Sequence, residues 1–416
     1  MTPGAMTESL VPAGDAPGSA RARGRARRPD TAVDVVRAHG MGKDLVEPDW
    51  PPLTDAEVSA VLARYGGTAA QAEVRWRSPR PMSAAALVDS DGAEVFVKRH
   101  HVLVRTAAQL TAEHALADHL CALGVAVPAV RRLPDGGSTV RSGDYLYEVH
   151  ARAAGIDSYR DVLSWEPFTS VQHARAAGAA LARFHRASAS FGLPGRPPGV
   201  LTSSCAVITA ADPLAAVARL AARRPGLASY LDEQTWRDDL TRYHLPAIGR
   251  LAPLVPDLGR LWGHGDWHPS NLIWTSPGPD ADVAGVIDLG LANRTSAAHD
   301  LAVAIERSAV SWLDLAESGR AHPDIPAAAA LLDGYQSVRP LGQAELAALP
   351  LLLPVVHVEY ALSEVEYFTS VVRSRENADL AYHGYLIGHT SWFGTPEGRA
   401  LLSHLRQRAD RRPAAP

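Results

Sequence analysis

The spacing of apolar and polar positions divides this chain into a strand-rich first part and a helix-rich second part. Thr54 and Glu57 have the spacing of a capping box, and Gly66-Gly67 supplies a stop, so a helix is predicted over Asp55–Tyr65. Three short, partly alternating segments follow: Glu73–Trp76, Ala84–Asp89 and Glu94–Arg99. Turn residues separate them (Ser78-Pro79, Asp91-Gly92), as in consecutive antiparallel strands. Thr106–Leu123 has helical period and ends at Gly124. Two further strands are expected near Ala129–Leu133 and Tyr145–Ala151, around the turn Pro134-Asp135-Gly136-Gly137.

From Asp157 onward, long Ala- and Leu-rich stretches dominate. Ser170–Ser188, Ala327–Asp333 and Pro354–Val372 read as helices, while Pro194–Gly199 and Thr202–Ala211 read as loops. The pattern therefore predicts an α+β chain: a β lobe with one prominent helix over 51–152, then a larger, mainly helical lobe over 155–410. Residues 1–48 lack apolar periodicity, are rich in Ala, Gly, Pro and Arg, and are expected to be disordered. The basic run Arg21, Arg23, Arg25, Arg27 and Arg28 within them reads as a solvated tail.

Composition narrows the function classes. The formal net charge is −4, which argues against a nucleic-acid partner, because such binding rests on clustered positive charge. Only two cysteines occur, Cys121 and Cys205, too few for a disulfide framework, and a reducing cytoplasm is expected. The apolar run Leu349–Val356 is interrupted by Pro350 and Pro354 and falls short of the roughly 20 residues that span a bilayer, so no membrane partner is expected.

The chemistry-bearing signal is His264-Gly265-Asp266-Trp267-His268-Pro269-Ser270-Asn271, followed by Val286-Ile287-Asp288-Leu289-Gly290. Phosphoryl transfer asks a protein for positioning and charge stabilisation rather than covalent chemistry. A carboxylate must meet the attacking hydroxyl, and hard oxygen donors must hold Mg²⁺ against the phosphates. Asp266 and Asn271 have the spacing of a kinase catalytic loop. Asp266 is the candidate base, and Asn271 and Asp288 are the candidate metal ligands, Asp288 arriving at the end of an apolar strand.

With His299-Asp300-Leu301-Ala302 close behind, these motifs resemble the aminoglycoside phosphotransferase and choline kinase-like superfamily of small-molecule kinases. The resemblance implies a two-lobed, protein-kinase-like fold, ATP as phosphate donor with GTP as the alternative, Mg²⁺, and a small hydroxylated acceptor. It also implies that Asp300 is structural. Val95-Phe96-Val97-Lys98 is similar to the strand carrying the phosphate-pairing lysine, and Glu113 on the next helix is its expected partner. The segment where a Gly-rich phosphate loop belongs, Ser78–Ala84, has no glycine, and Ser83 or Arg80 is the candidate phosphate contact there. Leu146–His150 falls where the resemblance places the interlobe linker, with backbone around Glu148 and His150 meeting the purine edge.

The acceptor should be chosen by the helical lobe. Glu306, Arg307, Glu359, Tyr360, Glu364, Glu366 and Tyr367 are candidates, and acidic groups there favour a cationic amine: an amino sugar, an amino alcohol or an antibiotic-like metabolite. Three other readings stay open on the residues alone. One is a Ser/Thr kinase acting on a peptide; another is a nucleotide-binding module without turnover. The third is a metallohydrolase using His264, Asp266 and His268.

Overall fold

The computed structural model describes residues 37–66, 72–90 and 92–410. The basic run, Gly67 and Asp91 lie outside them.

Where disorder was expected, residues 37–46 instead form a small hairpin of β1 (Ala38–His39) and β2 (Leu45–Val46). Groups from elsewhere in the chain supply the contacts that its own sequence lacks. The His39 N–H donates to Pro79 O at 2.7 Å, and the Tyr385 hydroxyl donates to Met41 O at 2.8 Å. Lys43 pairs with Asp314 and Glu317 at 2.7 Å each.

Helix α1 (Asp55–Arg64) starts at Thr54 with the capping box that the spacing predicted. β3 (Glu73–Arg77), β4 (Ala84–Ser90) and β5 (Ala93–His101) form the expected meander. α2 (Ala107–Ala122) is capped by Thr106, again with a capping box. The fourth strand differs from expectation. The ladder strand is β6 (Thr139–Ser142), beyond the turn, and it pairs with β7 (Tyr145–Ala151). Residues Ala129–Leu133 touch β7 only through the Val130–His150 bridge and hydrogen bonds at either side of it. The result is one antiparallel sheet in the order β3-β4-β5-β7-β6. Val58, Val61, Val88, Val95, Val97 and Val149 fill the core between α1 and one face of this sheet.

The second, larger core lies among helices. α3 (Val171–Ser188) crosses helix Ile325–Val338 closely enough that only glycine fits at the crossing. A Cβ on Gly178 would sit 1.9 Å from Leu331 O, and one on Gly334 would sit 1.9 Å from Arg175 O. Leu181 and Phe184 of α3 share this core with Trp262, Trp267 and Trp274, which are buried packing groups. Two short antiparallel pairs lie beside α3: β8 (Arg260–Gly263) with β11 (Asn293–Ser296), and β9 (Leu272–Trp274) with β10 (Val283–Val286). Leu116 and Leu120 of α2 reach into the same core, tying the helix of the first lobe to the second. No described helix is long and apolar enough to cross a membrane.

Candidate functional site

The loop after β8 is built around two backbone donations to one carboxylate. Asp300 accepts from His264 N–H and Gly265 N–H at 2.7 Å each, and from His185 Nε2 at 2.8 Å. Gly265 has φ +76°, and a Cβ there would lie 2.4 Å from Leu291 O, so the turn requires glycine. The His264 ring then spans the loop: its Nε2 bonds Ile287 O at 3.0 Å, and its Nδ1 accepts from Asp266 N–H at 3.2 Å. With both nitrogens occupied by protein, His264 is an anchor, and the His264/Asp266/His268 metal set of the metallohydrolase reading loses a ligand.

Asp266 lies in the cleft with its two oxygens differently engaged. Arg307 Nη1 sits 2.7 Å from Oδ1, an ion pair without the alignment of a directed hydrogen bond. Asn271 Nδ2 donates to Oδ2 at 3.0 Å, and His268 Nε2 is 3.6 Å from the same oxygen. Burial pushes the Asp266 carboxyl up, but the charge of Arg307, then that of His268, holds it well below the usual carboxylate range. Asn271 spends its amide N–H on Asp266, so its carbonyl oxygen is the group it can offer a cation.

Asp288 follows β10 with φ 59°, a left-handed conformation uncommon for a non-glycine residue. Its Oδ1 accepts from Gly290 N–H at 3.2 Å, which holds the turn. Lys98 Nζ reaches both carboxylate oxygens, at 3.0 and 3.1 Å, from the facing sheet. Lys98 thus bridges to Asp288, whereas the expected partner Glu113 pairs with Arg196 at 3.3 Å. Arg196 in turn donates to Leu289 O, Gly290 O and Ala292 O. Glu113 therefore supports the segment around Asp288 through Arg196. The sequence offered no signal for Arg196, since it sits in a stretch read only as loop.

The glycine-free loop is shaped by ordinary residues, for none between Ser78 and Ser83 has a positive φ. The Ser78 N–H donates to Ala85 O at 2.8 Å. Arg80 spans the lobes: Nη2 donates to Val162 O at 2.9 Å, and Nη1 lies 2.8 Å from His39 Nδ1. Ser83 lines the cleft together with Lys98, Asn271 and Asp288.

The backbone of Glu148 and His150 is not free for a base. Glu148 pairs with Lys98 on one side and Thr139 on the other, and His150 pairs with Phe96 and Val130. A central strand has no spare donors or acceptors. The ladder ends at Ala151, and Arg152 and Ala153, which follow it, also line the cleft. The side chains are what Glu148 and His150 bring. The buried Glu148 carboxylate gathers His100 at 2.9 Å, His150 at 3.1 Å and His114 at the back of the cleft.

On the other side of Asp266 the cleft continues into a second chamber bordered by Trp165, His268, Arg307, Tyr360, Glu364 and residues 39–42. Arg307 lies between the rings of Trp165 and Tyr360, 4.7 and 4.9 Å from their centroids. Burial pushes Glu364 up to about 8, against the lowering charge of Arg307. The other acidic candidates are used elsewhere. Glu359 accepts from Ser204 and Val207 N–H, Glu366 from Ser370 and Leu227 N–H, and Glu306 pairs with His389. Tyr367 donates to Asp49.

Residues 83–341 match the profile of the phosphotransferase enzyme family. A homoserine kinase from Methylobacterium radiotolerans is 32% identical over 252 residues, covering 60% of this chain and 67% of that protein. One from Caulobacter vibrioides is 32% identical over 227 residues, covering 54% and 61%. Among solved structures, a microcompartment-associated aminopropanol kinase superposes with a TM-score of 0.53 at 18% identity, covering 83% of this chain and 97% of that one. An aminoglycoside phosphotransferase from Alicyclobacillus acidocaldarius gives 0.50 at 19% identity, covering 87% and 98%. At these identities the structural likeness speaks to the fold, a kinase-like small sheet joined to a larger helical part.

Proposed function

Since the chain belongs to the phosphotransferase enzyme family, we propose that it moves the γ-phosphoryl group of ATP, with GTP the alternative donor, to the hydroxyl of a small amino alcohol. The observation that carries this reading is the position of Asp266, between the Lys98/Asp288 side of the cleft and a chamber bordered by Arg307 and Glu364. An ionised Asp266 accepts a hydrogen bond from the acceptor O–H and aims its oxygen at phosphorus. As the new P–O bond forms and the bond to ADP breaks, the hydroxyl proton passes to Asp266 or onward to solvent. Lys98 supplies positive charge to the phosphates, and Ser83 and Arg80 border them.

Asn271 Oδ1 and the Asp288 carboxylate are hard oxygen donors facing one cleft, which suits Mg²⁺; a bound ion would offset phosphate charge. Arg307, and Glu364 once an ammonium group draws off its proton, suit an acceptor bearing carboxylate and ammonium groups, as homoserine does, and the relatives named homoserine kinase support that class. Residues 39–42 over the chamber favour a small acceptor over a peptide laid in an open groove.

The test is ADP release in the presence of Mg²⁺, measured across homoserine, aminopropanol, choline-like alcohols, aminoglycosides and a serine peptide. Homoserine or another amino alcohol should give the fastest turnover. Turnover with the peptide alone would sink the proposal.

A further inference from the structure

Away from the cleft, helix Ala297–Ser308, helix Val358–Glu366 and the π-helical segment Leu380–His389 bring together a ligand set that phosphoryl transfer does not use. Glu306 lies on the first, His357 caps the second, and His389 ends the third. One ligand atom from each lies within 4.8 Å of the others, and all three side chains are buried. Glu306 Oε1 is 2.9 Å from His389 Nδ1 and 4.0 Å from His357 Nδ1.

Two features separate this cluster from an ordinary buried ion pair. No directed hydrogen bond reaches either nitrogen of the buried His357, whose polar neighbours are acceptors, the Glu306 carboxylate at 4.0 Å and the Leu386 and Tyr385 carbonyls, so its lone pair is left without a donor. The other two ligands are held in place. The His389 ring stacks on Trp312 at 3.7 Å and 9°, and Trp312 Nε1 donates to Glu306 O at 2.7 Å. A π-helical stretch, as in Leu380–His389, often marks a site of function. The other such cluster, His114, Glu148 and His150, lacks these features: its imidazoles hydrogen-bond to Glu148, and His114 also bonds Ser138.

We propose that Glu306, His357 and His389 hold a zinc ion, with a water or main-chain oxygen completing four-coordination. Two imidazoles and one carboxylate suit Zn²⁺ and disfavour Mg²⁺ and Ca²⁺, which take oxygen. Full burial makes the site structural. Its consequence for the cleft is positional, since Arg307, the partner of Asp266, follows Glu306 in the same helix. The inference does not depend on the identity of the acceptor.

Untagged protein from zinc-supplemented cultures, dialysed against excess Mg²⁺, should carry about one zinc per chain by elemental analysis. His357→Ala and His389→Ala should each fall below about a tenth of that, while His114→Gln keeps it. Should those variants fail to fold, two measurements on the unaltered chain decide. Cobalt substitution should give the visible absorption bands of a tetrahedral ion, and removal of zinc with dipicolinate should lower Tm by several degrees. Absence of both stoichiometric zinc and the cobalt bands would make the cluster a metal-free hydrogen-bonded group. Loss of zinc in His114→Gln alone would move the ion to Glu148.

Discussion

Asp266 carries a net charge balance that its motif does not reveal. The spacing to Asn271 identifies it, but the ion pair with Arg307 determines how it acts. A carboxylate held this far down is a weak proton acceptor and a good hydrogen-bond acceptor, so orientation of the hydroxyl is its main work. Asp266→Asn should therefore retain nucleotide affinity by calorimetry and lose about 10²–10⁴ in kcat; near-normal turnover would remove it from the mechanism. Glu364 behaves in the opposite sense. Folding raises it from an ordinary 4.5 to about 8, so between those values the folded state keeps a proton that the unfolded chain has lost. Its contribution to stability falls as pH rises through that window. Urea midpoints of Glu364→Gln and the unaltered protein should be similar near pH 5 and should diverge toward pH 8, the variant becoming the more stable; parallel profiles would show that Glu364 titrates normally.

At the scale of elements, local signals read well where the chain itself supplies the partner. Thr54 and Thr106 have their capping glutamate and glutamine three residues on, and both boxes form. Ala129–Leu133 reads as a strand by composition, yet a strand also needs an edge to pair with. β6 occupies that edge of β7 from Tyr145 to Glu148, leaving only the Val130–His150 bridge for the earlier segment. The glycine pair at the α3 crossing is likewise silent in sequence, because Gly178 and Gly334 lie on helices distant along the chain. Here the obstruction is backbone carbonyl, which cannot rotate aside. Gly178→Ala should cost at least the roughly 1–3 kcal/mol typical of overpacking, read as a lowered urea midpoint, although alanine is the better helix former. An unchanged or raised midpoint would mean that the helices separate freely.

For the described molecule as a whole, residues 37–46 help to enclose the chamber, which residues 39–42 line directly. Read alone they are polar and unpatterned; folded, they join the loop at Pro79 and Arg80 to Asp314, Glu317 and Tyr385 of the helical lobe. A chain starting at Glu47 should keep its KM for ATP and raise its KM for the acceptor by about tenfold, because positioning of the small substrate is lost. Equal KM values for both substrates in the shortened and full chains would show that the segment plays no part in acceptor binding.

The sequence by itself determined the family, the α+β character and the candidates Asp266, Asn271, Asp288 and Lys98, because these depend on residue type at fixed local spacing and on periodicity. Tertiary structure decided which partners they have. Lys98 meets Asp288 rather than Glu113, Asp266 meets Arg307, and the backbone of Glu148 and His150 is taken up by strand pairing. Such pairings join residues far apart in the chain. They are fixed by which surfaces pack and which backbone groups the sheet has already used, and neither is encoded in local pattern.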